Sequence, residues 1–454
     1  MTTRHDEPMA TVSADAAVIS PVIATLPVHR ASTAKAIAAI TIGNGLEFFD
    51  FAIFTYLATV IGKLYFPAAS PITQLLLSLA TFGVGFVVRP LGGVVIGAYA
   101  DRRGRKRAMM MTLWLMALGS AVFVFAPTYA KIGSVAPVLL IVGRLIQGFA
   151  VGGEVGASTS MLLEYASHDN RSFFTSWQLF SQALSTLLGS LIGLALTHAL
   201  SPEDLLSWGW RLPFLVGIAL IPLGSYIRRN LDETSDAAGS AKRASSPLVE
   251  VLCEHRRPVL ISILIAAGGT SSNYIALHYL TNYAVGVLKM PLSAGLWASL
   301  LAGALQMALA AFAGIASDRY GRKAVVTVAR LVLLIAIVPA FSWVSSSPSI
   351  ARLLVVAAVL MIPTVFISVA TVTMITEVFP RAIRATGLSI VYGIGVSIFG
   401  GFAQFLSTWL IALTGSKLAP AGYVIVLGII AFVAALKFPE TRVHISDCRS
   451  PSRG

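Results

Sequence analysis

Apolar stretches of about 20 residues follow one another along this chain, each as long as an α-helix must be to cross a ~30 Å hydrocarbon core. Twelve can be marked, near 36–61, 74–99, 108–127, 137–163, 172–198, 210–228, 258–285, 292–316, 325–344, 352–375, 386–413 and 419–437. A large soluble core would require a polar face on each helix, and these segments lack one. The pattern predicts an all-α membrane protein. Residues 230–257, with Ser, Ala, Gly and mixed charge, read as a linker between two halves of six helices each, 35–229 and 258–437. Residues 1–34 read as a disordered tail and not a cleaved signal: Asp6, Glu7 and Asp15 precede the weakly apolar patch Ala16 to Val28, and Pro21 and Pro27 interrupt it. Residues 438–454 form a second short tail.

The polar interruptions repeat. Gly97-Ala-Tyr-Ala-Asp101-Arg102-Arg103-Gly104-Arg105-Lys106 recurs nearly half a chain length later as Gly314-Ile-Ala-Ser-Asp318-Arg319-Tyr320-Gly321-Arg322-Lys323. Glu164 is followed seven residues on by Arg171, and Glu377 likewise by Arg384. Charged signatures duplicated in this way, each bounded by apolar spans, indicate two related helical bundles of a kind that underlies many transporters. A plain basic turn would explain one copy. The paired copies instead predict an ionic gate of Asp101, Arg105, Glu164 and Arg171 in one half and Asp318, Arg322, Glu377 and Arg384 in the other.

Composition sharpens this. The chain is 56% hydrophobic and 12% charged, against about 25% charged for a soluble domain. Its net charge of +13 is not a nucleic-acid footprint, because the basic residues alternate between loops. Arg102, Arg103, Arg105, Lys106 and Arg107, then Arg228, Arg229, Lys242, Arg243, Arg256 and Arg257, then Arg319, Arg322 and Lys323 fall on one side. The opposite loops hold at most one lysine each: Lys63, Lys131, Lys289 and Lys417. The positive-inside rule makes the first side cytoplasmic and places both termini there. Cys253 and Cys448 then face a reducing compartment as free thiols. No metal-ligand spacing and no nucleophile–base constellation appears, so neither metal, cofactor nor enzyme chemistry is expected. The expected partners are protons, a small solute and lipid, for a monomeric protein.

An ionisable side chain inside the bilayer costs ~2.5–3.5 kcal/mol, so each one asks for a reason. Glu47 and Asp50 share a face of the first span, about 17–21 Å deep at ~1.5 Å per residue. Two carboxylates facing one cavity suit proton coupling; permanent pairing with a buried arginine is the alternative, and the two acids are not distinguished. Arg89 lies mid-way along the second span and Arg144 in the outer half of the fourth. Each could form bidentate bonds to a di- or tricarboxylate or an internal salt bridge. Glu154, ten residues beyond Arg144, is about 15 Å from it along one helix and would need other spans to join a relay. Tyr279 and Tyr283 share a face of the seventh span and could donate hydroxyls to substrate; an aromatic belt is the competing reading. His278 and Arg330 are lone charges or bases on apolar helices. Gln147, Gln178, Gln182, Gln306 and Gln404 suit cavity lining or interhelical bonding equally.

The doubled Gly-x-x-x-Asp-Arg-x-Gly-Arg-Lys signature resembles the cytoplasmic loop motif of the major facilitator superfamily. Arg144-Leu-Ile-Gln147-Gly148 is similar to that superfamily's proton-coupling motif. Gly43-Asn44-Gly45-Leu46-Glu47-Phe48-Phe49-Asp50-Phe51, Arg89-Pro90-Leu91-Gly92, Gly153-Glu154 and Trp208-Gly209-Trp210-Arg211-Leu212-Pro213-Phe214 resemble the metabolite:proton symporters. Phe174-Thr175-Ser176-Trp177-Gln178, Thr376-Glu377-Val378 and Ile398-Phe399-Gly400-Gly401 resemble the bacterial citrate–proton symporters within that family. His278 and Arg330 depart from that branch. The resemblance implies twelve helices in two six-helix bundles in a bacterial inner membrane, importing citrate or a related tricarboxylate with protons. It implies coupling through Glu47, Asp50, Arg144 and Glu154, and substrate contacts among Asn44, Arg89, Gln178, His278, Tyr279 and Tyr283. Alternatives are symport of α-ketoglutarate, shikimate, or proline and betaine, whose carriers usually extend into a C-terminal coiled coil, and a non-transporting nutrient sensor with a soluble domain. The stretch after Lys437 is too short for heptads.

Overall fold

The computed structural model describes residues 30–441, apart from 69, 104, 153–154, 168, 230–250, 252 and 381–382. The expected linker and both tails therefore lie almost wholly outside the described residues. Among those described, there is no strand. The long helices are α1 (Arg30–Tyr56), α2 (Pro71–Gly97), α3 (Arg105–Phe125), α4 (Val135–Gly152), α5 (Arg171–Ala199) and α6 (Leu212–Arg229). The second half holds α7 (Arg256–Gly286), α8 (Leu292–Tyr320), α9 (Arg322–Ser346), α10 (Ile350–Glu377), α11 (Thr386–Thr414) and α12 (Ala419–Lys437). Eleven of these are long and apolar enough to cross a bilayer, and α6 is the exception, apolar only over Gly209–Pro222. Large apolar side chains such as Trp114, Phe125, Phe312 and Leu413 are more than 60% exposed around the outside. Water would penalise such a surface; lipid accepts it.

Several expected spans are interrupted, for local reasons. The first ends at Tyr56, with a turn at Leu57 before a separate helix, Ala58–Tyr65. The second breaks at Val88, because Pro90 has no N–H for the carbonyl one turn back and disfavours helix at the residue before it. The fourth stops at Gly152 and resumes as Val155–Glu164. α7 and α11 widen into π-helix over Ile275–Tyr279 and Tyr392–Gly401, a local form frequent at functional sites.

Small residues let the helices meet backbone to backbone. A Cβ on Gly148 of α4 would fall onto the carbonyl of Gly85 in α2, and one on Gly152 onto the carbonyl of Arg89. This seam sets the backbones that carry Arg89 and Arg144. Between the halves, α5 packs on α8 and α2 on α11. The second seam is reciprocal: Gly83 of α2 receives the Phe402 ring, and Gly401 of α11 receives Phe86.

Candidate functional site

Asp50 sits inside the first bundle among α1, α3, α4 and α6. Its Oδ2 accepts from the Ser120 hydroxyl and, at 3.2 Å, from Gln147 Nε2. Gln147 Nε2 also lies 3.0 Å from Ser120 Oγ, and its Oε1 accepts from Arg144 Nη1 at 2.8 Å. Asp50 and Arg144 are therefore not in direct contact; an amide stands between acid and base. Room for Asp50 comes from α6, where a Cβ on Gly217 would come within 2.5 Å of Oδ1. Arg144 lies among four phenylalanines, with its guanidinium carbon 3.7 Å from the Phe54 ring centre and 5.0, 5.1 and 5.5 Å from those of Phe123, Phe51 and Phe82. Ring faces stabilise a cation without neutralising it, so Arg144 keeps its charge without a carboxylate in contact.

Between the bundles lies a cavity of roughly 650 Å³, counting its open mouth. Arg89 and Gln182 line it from one half, and Asn273, Tyr274, Ser368 and Thr371 from the other. The Arg89 guanidinium rests 3.6 Å from the Phe86 ring centre and 4.9 Å from that of Phe51. Glu47 and Tyr274 are its electrostatic neighbours. Its Nε and Nη2 have no hydrogen-bond acceptor. Arg89 thus lines the cavity as a buried cation with two unused donors, a chemistry that suits an oxyanion.

The remaining expected substrate residues are placed differently. Asn44 donates to Ser181 Oγ and accepts from Gln178 Nε2 at 3.0 Å, so this pair ties α1 to α5. The Tyr279 hydroxyl meets Thr408 at 3.1 Å, and Tyr283 donates to the Lys417 carbonyl at 3.0 Å. Both tyrosines are thus engaged within their own bundle. His278 packs between the Tyr56 and Tyr274 rings, with Nδ1 lacking a partner. Glu154 lies outside the described residues.

At the signature-loop end the halves are bonded to each other. Asp318 of α8 accepts from the backbone N–H groups of Ser172 and Phe173, both at 2.9 Å, at the start of α5. A helix N-terminus presents unpaired donors and partial positive charge, so this acid caps α5 from the opposite bundle. Glu377 accepts from Arg322 Nε and Nη2, both at 3.0 Å, and pairs with Arg171 at 3.5 Å across the interface. Asp318 pairs with Arg322 at 3.1 Å. Arg384 donates to the Phe379 carbonyl at 3.3 Å. Asp101, Arg105 and Glu164 lie in helices, and their side chains are outside the described residues. The sequence reading missed Glu440 and Thr441. Glu440 accepts from the Arg322 and Lys323 backbone N–H groups, and Thr441 donates to Glu377 at 2.6 Å. An acid placed just past an apolar helix by Pro439 was the available signal. At the opposite end, Asn282 of α7 donates to the Thr55 carbonyl and to Gln404 Oε1. The bundles therefore meet at both ends of the cavity. No cluster that could hold a metal ion occurs among the described residues.

The family model for sugar (and other) transporters matches residues 35–236 and again 226–444. The chain is similar to a citrate–proton symporter of Klebsiella pneumoniae, 35% identical over 405 residues that cover 88% of this chain and 91% of that protein. It is also similar to a proline/betaine transporter of Salmonella typhimurium, 30% identical with 90% and 83% covered. Its fold matches the crystal structure of a D-xylose–proton symporter, with TM-score 0.73, 17% identity, and 90% and 98% coverage.

Proposed function

Because the chain belongs to the sugar (and other) transporter family of the major facilitator superfamily, and so is a transporter and not an enzyme, we propose that it imports a tricarboxylate, citrate or a near relative, together with protons. The carrying observation is Arg89: a cation between the bundles with two unbonded donors. A proline- or betaine-type zwitterion bears one carboxylate and a bulky cation, and the arginine favours the anion. Similarity to the citrate–proton symporter supports the same choice.

In this reading the ligand enters from outside when the Asn282–Thr55–Gln404 contacts part, and a carboxylate docks on Arg89. Asp50 takes up the coupled proton, which removes the negative charge opposite Arg144 and lets the loaded cavity turn inward. Breakage of the Asp318–α5 and Glu377–Arg171 contacts then opens the signature-loop end, which is cytoplasmic, as are both termini. Glu47, beside Arg89, balances that arginine when the site is empty. Each net positive charge moved inward gains ~2.3 kcal/mol per 100 mV of membrane potential. The membrane is the bacterial inner membrane.

The test is uptake of labelled citrate and labelled proline into proteoliposomes, with and without an imposed pH gradient, acid outside. Gradient-driven accumulation of citrate above its equilibrium level is expected. Accumulation of proline with no citrate uptake would refute the anion assignment.

A further inference from the structure

Arg330 of α9 is fully buried, and its Nε, Nη1 and Nη2 all lack a hydrogen-bond partner. It makes no ion pair among the described residues. The described acids on α8, on α10 and after α12, Asp318, Glu377 and Glu440, are committed at the signature-loop end. Arg330 stands two helical turns beyond Arg322, about 12 Å along α9, well inside the apolar span. Guanidinium does not shed its proton in a protein, and an uncompensated buried charge is strongly unfavourable. Such a residue calls for an anion that arrives from elsewhere.

Its surroundings show the route. A Cβ added to Gly268 of α7 would lie 2.5 Å from Arg330 Nη1. A Cβ added to Gly269 would lie 3.9 Å from Nη2 and 3.7 Å from Thr371 Oγ1. Gly269 and Thr371 both line the cavity that Arg89 faces. The guanidinium is therefore directly behind the cavity wall, at a point where the wall is one glycine thick. Thr371 Oγ1, Ser368 Oγ and Asn273 Oδ1 on the same wall are also without partners. Two hydroxyls able to donate, beside a cation with every donor unused, form a half-built carboxylate site.

We infer that Arg330, acting through the window left by Gly269, is a second carboxylate-binding cation of the substrate site, opposite Arg89, so that the ligand bridges the two bundles with two carboxylates. The inference rests on the anion reading above and narrows it: a monocarboxylate can satisfy one arginine only. It also gives the ligand a mechanical role, since an anion held by α2 and α9 together draws the halves onto itself.

The full-length protein, purified in detergent, is to be compared with Arg330→Met and Gly269→Ala. Melting temperature is measured alone and with propionate, succinate or citrate, and each acid is competed against labelled citrate. Wild type should be stabilised by succinate and citrate and not by propionate. Arg330→Met should weaken citrate at least 30-fold, leave propionate unchanged, and melt without ligand at the wild-type temperature or above, because an unpaired buried charge has been removed. Gly269→Ala keeps the arginine, meets its neighbours at ordinary contact distance, and should weaken citrate several-fold by narrowing the window. Citrate affinity unchanged in both variants overturns the inference while leaving the anion reading in place. A lowered ligand-free melting temperature in Arg330→Met with unaltered affinity in Gly269→Ala assigns Arg330 to packing and also overturns it. A wild type that binds none of the three acids and binds proline defeats both readings.

Discussion

Asp318→Asn tests whether the signature loops hold the gate shut. The aspartate accepts two backbone N–H groups of α5 at 2.9 Å and pairs with Arg322 at 3.1 Å. The Arg322 contact lies within one half and survives opening, so it does not bias the gate. The two α5 bonds cross the interface and exist only when it is closed. Asparagine keeps the shape and one acceptor oxygen but points an amide donor at the second N–H. One charge-assisted bond is lost, at about 1.5–3 kcal/mol, which converts to a shift of about 10- to 150-fold toward the open form. The assay uses Val396→Cys, on the cavity wall, in a background with Cys253 and Cys448 replaced by Ser. A membrane-impermeant maleimide is applied to the signature-loop side of oriented vesicles. The labelling rate should rise by that factor while the ranking of competing substrates stays fixed. An unchanged rate in monodisperse protein would refute the gate, and a reordered ranking would refute its separation from the binding site.

Asp50→Asn cannot carry a proton and should abolish gradient-driven accumulation while citrate exchange persists; accumulation at the wild-type level places the coupling group elsewhere. Arg89→Lys keeps the charge and loses the fork, so it should weaken citrate by roughly 30-fold or more and propionate little, read by competition against labelled citrate. Gly148→Ala drives a methyl into the Gly85 carbonyl and should cost about 1–3 kcal/mol, seen as a lower melting temperature; a wild-type melt would mean that α2 and α4 can separate freely.

Much of the fold was legible because a helix inside lipid must be apolar for its whole length, a demand that composition cannot hide. Breaks in helices were less visible. Pro90 announces the break at Val88, yet nothing in the hydropathy pattern marks the π-helical stretches Ile275–Tyr279 and Tyr392–Gly401. Among candidate site residues, Arg89 and Asp50 stand out through the expense of placing charge in a bilayer. Asn44 and Gln178 carry no such expense, and only their mutual bond shows how they are used. Gln147 stands apart from the other membrane glutamines in sequence only by its place beside Arg144, and its bonds to both Arg144 and Asp50 emerge only with α1, α3 and α4 side by side. Arg171 sits in sequence near Glu164, yet among the described residues it pairs in space with Glu377 of the other half, a pairing that no local spacing contains.

Ser120 gives the Asp50 site a property that concerns bookkeeping of bonds and not charge. Its hydroxyl lies within reach of Asp50 Oδ2 and also 3.0 Å from the Met116 carbonyl. With Asp50 ionised, Ser120 donates to the carboxylate. With Oδ2 protonated, the acid donates to Ser120 and the hydroxyl turns to Met116, while Gln147 Nε2 still has Ser120 Oγ to meet. One bond rotation reconciles both forms, and neither strands a buried donor. In the proposed coupling, arrival of a proton would therefore leave the local scaffold almost as it was and alter chiefly the electric field felt by Arg144. The proposed signal would then pass from acid to arginine as potential, without a relay of moving atoms, and a buried low-dielectric site is the medium that screens such a signal least.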